Sequence, residues 1–422
     1  MAIVFILSFI PVFIWIFMEP LALRFSDLNS ITTSIGQILG LVGMVLFSIN
    51  IILAGKLKLL DKYFKGLDKV YVNHGKIGSI AFSMLLFHPI LLVIKYLLIS
   101  TREAALFFVP FINMPITWGI ISLLLMILLI AFTFYIKLKY HVWEISHKFM
   151  TLAFVFAVLH TLFISSDVSR NLFLRYYIFF FAFLAIFVMV RKFIFDYIIN
   201  NKFKYKVVNL KELNKDIVEI EMTPLGKKMD FLSGQFAFFS FFSEAVGRES
   251  HPFSISSSEK DNNLKITVKS LGDYTKSFKN LKLNDGVLID GPYGHFSYKN
   301  ILNKNQIWIA GGIGITPFYS MASNLDKDYN IDFYCSVKEE SEAVYTKELQ
   351  EISSINPNFK YYLWDVKEKG YINADLISSL SGGLDGKDIL ICGPLAFMDS
   401  LKNQFTSLEV DINKIHNENF SF

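Results

Sequence analysis

Cysteine is scarce in this chain. Only Cys335 and Cys392 occur among 422 residues, and both lie in the more polar C-terminal half. So few cysteines exclude a disulfide framework and indicate a reducing compartment for that half. The net charge is also small, +4 at pH 7, and the basic residues are spread over several loops. The sequence therefore gives no reason to expect a nucleic-acid partner.

Targeting and regulatory segments are missing as well. Neither a basic leader nor a small-residue cleavage site accompanies the first apolar stretch, MAIVFILSFIPVFIWIF, so we expect a retained helix and not a removed signal peptide. No EF-hand loop precedes that stretch, and no proline-rich tail is present. The sequence therefore predicts neither a calcium switch nor an obligatory protein activator.

Apolar residues, by contrast, are abundant. They make up 53% of the chain, and the mean hydropathy of +0.42 is too high for an ordinary soluble protein. Most of them precede residue 195, in six spans near the length that a bilayer requires: 3–18, 33–54, 76–99, 115–136, 147–165 and 172–194. We therefore expect residues 1–200 to form a six-helix bundle in a lipid bilayer.

Lysines are concentrated in the loops on one side of these spans. Loops 55–75 and 137–148 are rich in lysine, and Arg191 and Lys192 follow the sixth span, whereas the opposite loops contain little beyond single arginines. Positively charged loops remain on the cytoplasmic side of a membrane. The distribution predicts a multi-pass cell-membrane protein with both termini and the polar C-terminal half in the cytoplasm.

Four of the five histidines before residue 195 are set in two apolar stretches, and the fifth, His141, lies in a loop outside the pairing. His74 and His88 are 14 positions apart, and His147 and His160 are 13 positions apart, so each pair spans roughly 20 Å of helix. Matched pairs at matched depth predict two haems b with paired histidine ligands, His74 with His147 and His88 with His160. The alternative is that each histidine only forms a hydrogen bond between helices. Thirteen positions leave the rings of His147 and His160 about 140° apart on an ideal helix, so these two residues require a tilt, a local irregularity or haems at different azimuths.

The polar half divides into two patterns. Between residues 203 and 300, six short alternating strands separated by turn-rich segments indicate a small antiparallel β-barrel, which we assign to residues 201–300. After residue 305, strands and helices alternate, which is typical of a parallel α/β sheet, assigned to residues 301–422. The predicted fold is a six-helix transmembrane bundle followed by these two domains.

A glycine-rich turn, AGGIGITPF, occupies residues 310–318, directly after a strand and at the start of a helix. Gly311, Gly312 and Gly314 allow backbone amides to approach a pyrophosphate at the helix N-terminus, and Thr316 and Pro317 complete the turn. Pro317 stands where the last glycine of a dinucleotide fingerprint would be. The run therefore indicates either a nucleotide site or an ordinary tight turn.

Several motifs together carry a family resemblance. HPFS (His251, Pro252, Phe253 and Ser254) follows SGQF at residues 233–236 and precedes VKSLGDYT and DGPYG. This series resembles the ferredoxin-reductase-like flavoprotein modules. With the histidine pairs added, the whole chain resembles the ferric reductase and NADPH oxidase superfamily, and in particular its compact bacterial NADPH oxidases. The resemblance implies a ferredoxin–NADP reductase-like module built from an FAD-binding barrel and a Rossmann-like NAD(P)H-binding domain.

The resemblance also implies roles for individual residues. HPFS and Gln235 would contact the flavin, with Ser254 near its reactive nitrogen. Cys392, Gly393 and Pro394 would lie beside the nicotinamide, and Phe420 of the terminal ENF motif would cover the flavin ring. Residues implied to hold the FAD phosphates are Lys269, Gly272, Asp273, Tyr274 and Thr275. Each motif alone could be an ordinary turn or core segment, and their shared order is what favours these roles.

These features imply a route for electrons. A nicotinamide gives up two electrons as hydride and a haem takes one at a time, so a flavin is needed between them. We expect NADPH as donor, with NADH also used, then FAD, then the His74/His147 haem, then the His88/His160 haem. Ser336 and Lys338, after the second strand of the nucleotide domain, are expected to meet the 2′-phosphate of NADPH.

For the external acceptor, we expect dioxygen, reduced to superoxide. Both axial positions of the outer haem would be filled by histidine, so a small acceptor would take its electron at the haem edge. Arg102, after the third span, is the expected cation beside the forming anion. The alternatives are a ferric chelate as acceptor, electron delivery to quinone within the bilayer, and a transporter or channel with a regulatory nucleotide-binding tail.

Overall fold

The computed structural model describes residues 2–136, 138–194, 202–244 and 246–418. The chain divides into two compact units. The helical unit comprises residues 1–57 and 70–200, and the β-rich unit comprises residues 58–69 and 201–422.

The N-terminal part of the chain is helical throughout. Its helices are α1 (Ala2–Ile16), α2 (Leu21–Arg24), α3 (Leu28–Leu53), α4 (Lys58–Phe64), α5 (Leu67–Leu97), α6 (Thr101–Phe107), α7 (Met114–Phe134), α8 (Tyr140–Lys148), α9 (Met150–Phe163), α10 (Asp167–Arg170) and α11 (Leu172–Ile194). Helix α4 belongs to the β-rich unit.

Five stretches are long and apolar enough to cross a membrane: Leu28–Leu53, Leu67–Leu97, Met114–Phe134, Tyr140–Phe163 and Leu172–Ile194. They correspond to the second through sixth predicted spans. The first predicted span forms α1, which has 15 residues and is shorter than the other five. Helix α5, which contains the third predicted span, begins at Leu67, nine positions before that span. The residues of its first two turns include polar ones, so their hydropathy is too low to mark them as part of a membrane span.

The stretch Tyr140–Phe163 contains a local irregularity, one of the three possibilities that its histidine spacing left open. Helix α8 ends at Lys148 and α9 begins at Met150, so Phe149 separates them. The Phe149 amide donates to the Ser146 carbonyl at 3.0 Å, and the Leu152 amide donates to the Phe149 carbonyl at 2.9 Å. Both bonds span three residues instead of four, which tightens the helix locally. The rotation between His147 and His160 therefore differs from that of an ideal helix.

Helix α3 lies at the centre of the helical unit. In its most apolar 18-residue window 56% of the residues are buried, compared with 11–33% in the other four membrane stretches. It packs against α1, α9 and α11. Helix α11 instead exposes one aromatic face, whose residues recur every three or four positions: Phe173, Tyr176, Phe180, Phe183 and Phe187. An exposed apolar face of this kind suits contact with lipid.

A buried ion pair ties three short segments of the helical unit together. The Arg24 guanidinium lies 3.2 Å from the Asp167 carboxylate, and the Trp15 indole N–H donates to the same carboxylate at 2.8 Å. The guanidinium also lies 3.8 Å from the centre of the Trp15 ring. Since Arg24 and Asp167 are only 5% and 7% exposed, each charge depends on the other for compensation.

The first sheet of the β-rich unit is antiparallel. Its strands are β1 (Phe203–Asn214), β2 (Ile217–Pro224), β3 (Phe236–Phe242), β4 (His251–Ser254), β5 (Leu264–Lys269) and β6 (Gly286–Tyr293). They are arranged in the order β4-β3-β6-β1-β2-β5. A bridge between Ile255 and Ile266 joins the two edges, so the sheet closes on itself as the predicted barrel. Its core is formed by inward residues such as Val207, Ile220 and Phe239.

The second sheet is parallel. Its strands are β7 (Asn305–Gly311), β8 (Asn330–Val337), β9 (Phe359–Asp365), β10 (Asp388–Cys392) and β11 (Ile415–Glu418), arranged in the order β11-β10-β7-β8-β9. Both faces are covered by apolar clusters, one around Trp308 and Phe318 and the other around Met398 and Leu401. Helix α12 (Asp273–Lys276) lies between β5 and β6 of the first sheet. The helices that accompany the parallel sheet are α13 (Ile315–Ala322), α14 (Thr346–Ile355), α15 (Val366–Lys369), α16 (Ala374–Leu380) and α17 (Leu395–Ser407).

Candidate functional site

The four predicted histidines meet in two pairs inside the helical unit. His74 and His88 lie on α5, His147 near the end of α8 and His160 on α9. The ring centroids of His74 and His147 are 6.0 Å apart, and those of His88 and His160 are 6.4 Å apart. The structure therefore brings together the same partners that the spacing predicted.

Backbone carbonyls hold three of these imidazoles. Nδ1 of His74 lies 3.0 Å from the Asn50 carbonyl, Nδ1 of His88 lies 2.7 Å from the Gly36 carbonyl, and Nδ1 of His160 lies 2.8 Å from the Pro115 carbonyl. A carbonyl only accepts, so the ring proton is on Nδ1 and the lone pair is on Nε2. Each of these rings therefore has its Nε2 available as a metal ligand.

His147 is held differently. Its Nδ1 forms no hydrogen bond within the described residues. Its ring instead stacks on Trp143, one turn earlier on α8, with centroids 5.5 Å apart and an interplanar angle of 25°. Packing therefore orients this imidazole, whereas hydrogen bonds orient the other three.

Glycines on facing helices make room for the His88/His160 pair. A Cβ atom on Gly40 of α3 would lie 2.8 Å from the His88 ring, and one on Gly119 of α7 would lie 2.9 Å from Nδ1 of His160. Real Cβ atoms do not approach other atoms that closely. These two positions therefore require glycine for the imidazoles themselves to fit.

The geometry fits a haem between each pair. An imidazole nitrogen binds a metal at about 2 Å, so the centroids of two axial imidazoles lie roughly 6 Å apart. The observed 6.0 and 6.4 Å agree with that separation. His74 with His147, and His88 with His160, would be the axial ligands.

In the β-rich unit, the HPFS motif forms β4, next to β3 in the barrel. His251 Nε2 lies 2.7 Å from the Glu249 carboxylate, and the His251 ring stacks on Tyr274 at 4.0 Å. Ser254 is 8% exposed and pairs with Phe236 of the SGQF motif. The barrel therefore gathers HPFS, SGQF and the tyrosine of GDYT at one place.

Gln235 links two of the predicted flavin segments. Its amide nitrogen donates to the Gly294 carbonyl at 2.8 Å, and its oxygen accepts from the Leu232 amide at 2.8 Å. Both ends of the side chain are thus used to hold the SGQF turn against DGPYG. Gln235 positions these turns.

The predicted phosphate-binding loop is exposed around Gly272 and Asp273. The Thr275 hydroxyl accepts from the amides of Leu271 and Gly272, each at 3.0 Å, which closes the turn. Lys269 lies apart from this turn, because its ammonium pairs with the Glu342 carboxylate at 2.9 Å. The structure thus gives Lys269 a protein partner that the sequence did not suggest.

The glycine-rich turn and the CGP motif are neighbours at the carboxyl edge of the parallel sheet. Ala310 at the end of β7 pairs with Cys392 at the end of β10. A Cβ atom on Gly314 would clash with the Cys392 carbonyl and would lie 2.8 Å from the Gly393 amide nitrogen. Pro317 stands in the first turn of α13, and the Thr316 hydroxyl donates to the Ile313 carbonyl at 3.1 Å. Nucleotides bind at this edge of open α/β sheets.

The predicted 2′-phosphate contacts follow β8. Ser336 is buried at the end of the strand, and Lys338 is exposed directly after it. The neighbouring Glu339 carboxylate pairs with the Lys367 ammonium at 2.9 Å. Lys367 therefore offsets one of the negative charges that would oppose a phosphate here.

Two buried acidic groups lie at the end of the parallel sheet. Burial raises the pKa of the Cys392 thiol well above its usual range. Burial, followed by the carboxylates of Asp68 and Asp61, raises the pKa of Glu418 well above its usual range, although Lys69 opposes this. Glu418 is 2% exposed, and its Oε2 has no hydrogen-bond partner among the described residues. Nothing in the sequence indicates a buried carboxyl group with a raised pKa here, because Glu418 is only the first residue of the ENF motif.

The remaining predicted residues are less constrained. Arg102 is exposed in the first turn of α6, whereas Arg24 is the buried arginine at the ion pair described above. Phe420, with the preceding Asn419 of the ENF motif, lies outside the described residues.

Three family models match successive parts of the chain. A ferric reductase like transmembrane component matches residues 39–158. An FAD-binding domain matches residues 202–297, and an oxidoreductase NAD-binding domain matches residues 308–403. The first range contains His74, His88 and His147 but not His160. The second range contains the barrel motifs, and the third contains the glycine-rich turn.

Individual relatives are distant. A glycine betaine monooxygenase reductase subunit of Pseudomonas aeruginosa is 26% identical over 33% of this chain and 42% of its own length. NADH-cytochrome b5 reductase 1 of Kluyveromyces lactis is 29% identical over 34% of this chain and 56% of its own. Dual oxidase 1 of Caenorhabditis elegans is 27% identical over 52% of this chain and 15% of its own. The match thus spans less than half the length of the first relative.

Among solved structures, an Amycolatopsis cytochrome P450 reductase is 18% identical and covers 52% of this chain and 70% of its own, with a TM-score of 0.46.

The close contact at Gly314 leads to a prediction. Gly314→Ala should weaken NADP⁺ binding at least tenfold, about 1.4 kcal/mol, because the added methyl group pushes the turn away from Cys392 and Gly393. Gly226→Ala is the control, since Gly226 lies outside the nucleotide turn and its Cβ would meet nothing within 4 Å. Isothermal titration calorimetry measures both. Equal losses in the two variants would contradict this account.

Proposed function

The chain belongs to the ferric reductase and NADPH oxidase superfamily, and we propose that it is a membrane NADPH oxidase that reduces dioxygen to superoxide. It is an oxidoreductase that combines a ferric-reductase-like membrane domain with FAD- and NAD(P)-binding domains. The proposal adds the donor, two haems, the direction of transfer and the acceptor.

One observation carries the proposal: the ring centroids of each histidine pair have the separation expected of two imidazoles that bind one haem iron. When bound, FAD would convert a two-electron hydride donor into one-electron steps, and each haem would carry one electron. The chain itself supplies the ligands, fixes three of the four rings through Nδ1 and encloses both pairs among apolar helices.

The β-rich unit would hold the other two groups. HPFS, Gln235 and the loop from Gly272 to Thr275 would hold FAD, with Ser254 and Phe420 at the flavin ring. The glycine-rich turn, together with Cys392, Gly393 and Pro394, would hold the nicotinamide nucleotide. The lysine-rich loops support placing this unit and both termini in the cytoplasm, so that electrons move outward from the His74/His147 pair to the His88/His160 pair.

The haem assignment predicts a stoichiometry. His88→Ala and His160→Ala should each reduce the haem content from two per FAD to one, because a single remaining imidazole holds that haem weakly. Flavin reduction by NADPH should persist in both variants. The pyridine haemochrome assay counts the haems, with His141→Ala as a control because His141 lies outside both pairs. Two haems retained in His88→Ala, or none in the unmutated protein, would contradict the assignment.

The donor proposal is NADPH, with NADH as a slower alternative. Lys338 is exposed where the 2′-phosphate is expected, and Lys367 neutralises the adjacent Glu339. Lys338→Glu should raise the Michaelis constant for NADPH roughly tenfold and leave that for NADH nearly unchanged. Lys360→Glu is the control, because Lys360 is exposed at the amino end of β9, whereas Lys338 follows the carboxyl end of β8. A Michaelis constant for NADH below that for NADPH in the unmutated protein would reverse the choice.

The acceptor proposal is dioxygen. His88 and His160 would hold the iron of the second haem, so an acceptor would take its electron without binding that iron, which suits a small molecule. Arg102, in α6 directly after α5, would place a cation near the forming anion. A ferric chelate is bulkier and needs a wider approach, and a quinone would have to enter from the bilayer.

Turnover with NADPH in air and under argon separates these acceptors. Cytochrome c reduction should be sensitive to superoxide dismutase in air and should disappear under argon. Faster reduction of ferric citrate than of oxygen would instead indicate a metalloreductase. Rates that depend on added quinone would indicate delivery within the bilayer. A protein without haem or flavin absorbance would fit a transporter or channel.

A further inference from the structure

Lys192 occupies a position that the proposed electron route does not explain. It lies in the last turn of α11 and is partly buried. Its ammonium donates to the Ala54 carbonyl at 3.0 Å. Ala54 caps the C-terminus of α3, where helix carbonyls carry a partial negative charge. One turn earlier on α3, the Asn50 carbonyl accepts from Nδ1 of His74. Lys192 and His74 therefore share one helix end.

The charge of Lys192 acts on both members of the first histidine pair. It interacts electrostatically with His74 and with His147. The second pair differs in this respect. Within the part of the chain that the structure describes, no charged side chain has such an interaction with His88 or His160. The two pairs thus differ in the charge that surrounds them.

Other features of the pairs are nearly the same. Both consist of two imidazoles, with centroid separations of 6.0 and 6.4 Å. In both, the α5 histidine donates its Nδ1 proton to a backbone carbonyl of α3. The identity of the axial ligands sets the broad range of a haem potential, so it cannot distinguish the two sites. A nearby fixed charge can.

We propose that Lys192 raises the reduction potential of the haem at His74 and His147, so that this site is the better electron acceptor for the flavin. Uptake of one electron lowers the charge of the site by one, and a neighbouring cation stabilises the reduced state by Coulomb attraction. Because the ammonium is partly buried, solvent and salt screen it incompletely. Lys192 therefore acts as a positioning and tuning residue. This inference rests on the proposed function, since it requires haem at both pairs.

A nearby lysine provides a matched comparison. Lys148 directly follows His147 in sequence, yet its ammonium pairs with the Glu144 carboxylate at 3.0 Å and its side chain is 64% exposed. Its charge is therefore solvated, whereas Lys192 is partly buried. Removing it should therefore change the haem potential far less than removing Lys192.

A merely structural role for Lys192 is the main alternative. By bonding to Ala54, the side chain could only clamp the end of α3. Lys192→Gln retains a donor that can bond to the Ala54 carbonyl but removes the charge. Lys192→Arg retains the charge, and Lys192→Met removes both charge and donor. The three variants together separate charge from hydrogen bonding.

Spectroelectrochemical titration of the purified full-length protein tests the proposal. In Lys192→Gln and Lys192→Met, one of the two haem midpoints should fall so that reduction of that site is about tenfold less favourable, which is 59 mV for one electron. The other midpoint should stay unchanged. Lys192→Arg and Lys148→Met should both remain near the unmutated value.

The remaining outcomes overturn the inference. Unchanged midpoints in Lys192→Gln with two haems present would show that the charge has no effect. An equal shift in Lys148→Met would show a general surface effect. Loss of one haem in Lys192→Met by pyridine haemochrome, with both haems and both midpoints kept in Lys192→Gln, would assign Lys192 to the clamp. The proposed function fails separately, when the unmutated protein itself contains no haem.

Discussion

Four polar rings must be accommodated inside an apolar helical bundle, and much of the helical unit follows from that requirement. A ring N–H without a partner is costly in a hydrocarbon environment, so each must find an acceptor within the protein. The carbonyls of Gly36, Asn50 and Pro115 are the acceptors. A carbonyl oxygen has two lone pairs, and that of Asn50 accepts both from the Ala54 amide and from His74. His147 is the exception. Its Nδ1 has no hydrogen-bond partner among the described residues, and its ring stacks on that of Trp143.

The sequence predicted this arrangement well where the signal was a spacing. Intervals of 14 and 13 positions predicted the pairing partners, and the 13-residue interval left open a tilt, a local irregularity or haems at different azimuths. It could not locate that irregularity, because Phe149 is neither glycine nor proline and has no local signature of a helix break. The carbonyl partners were also hidden, since any residue type provides a carbonyl. Likewise, β11 has the sequence IHNE, too short and too polar to be recognised before β10 is seen beside it.

In the β-rich unit, the motifs were visible in the sequence but their contacts were not. Gly314 and Cys392 are nearly eighty positions apart, and only the parallel pairing of β7 with β10 places them in contact. Lys269 illustrates the limit of a motif. Its place in the sequence suggested a phosphate contact, whereas the fold gives it the Glu342 carboxylate. Glu418 illustrates the converse, because an apparently ordinary motif residue becomes a buried acid only when the sheet, Asp61 and Asp68 surround it.

Helix α3 has a consequence for how this sequence can change. Its two acceptor carbonyls, at Gly36 and Asn50, are separated by the same number of residues as the two histidines of α5 that they hold. The distance between the two acceptors along α3 therefore matches the distance between the two histidines along α5. Inserting or deleting one residue between His74 and His88 would misalign one of the two bonds unless α3 changed by the same amount. Length variation is consequently forbidden in each helix alone and allowed only in both together, so the pair can diverge in side chains while its residue count stays fixed.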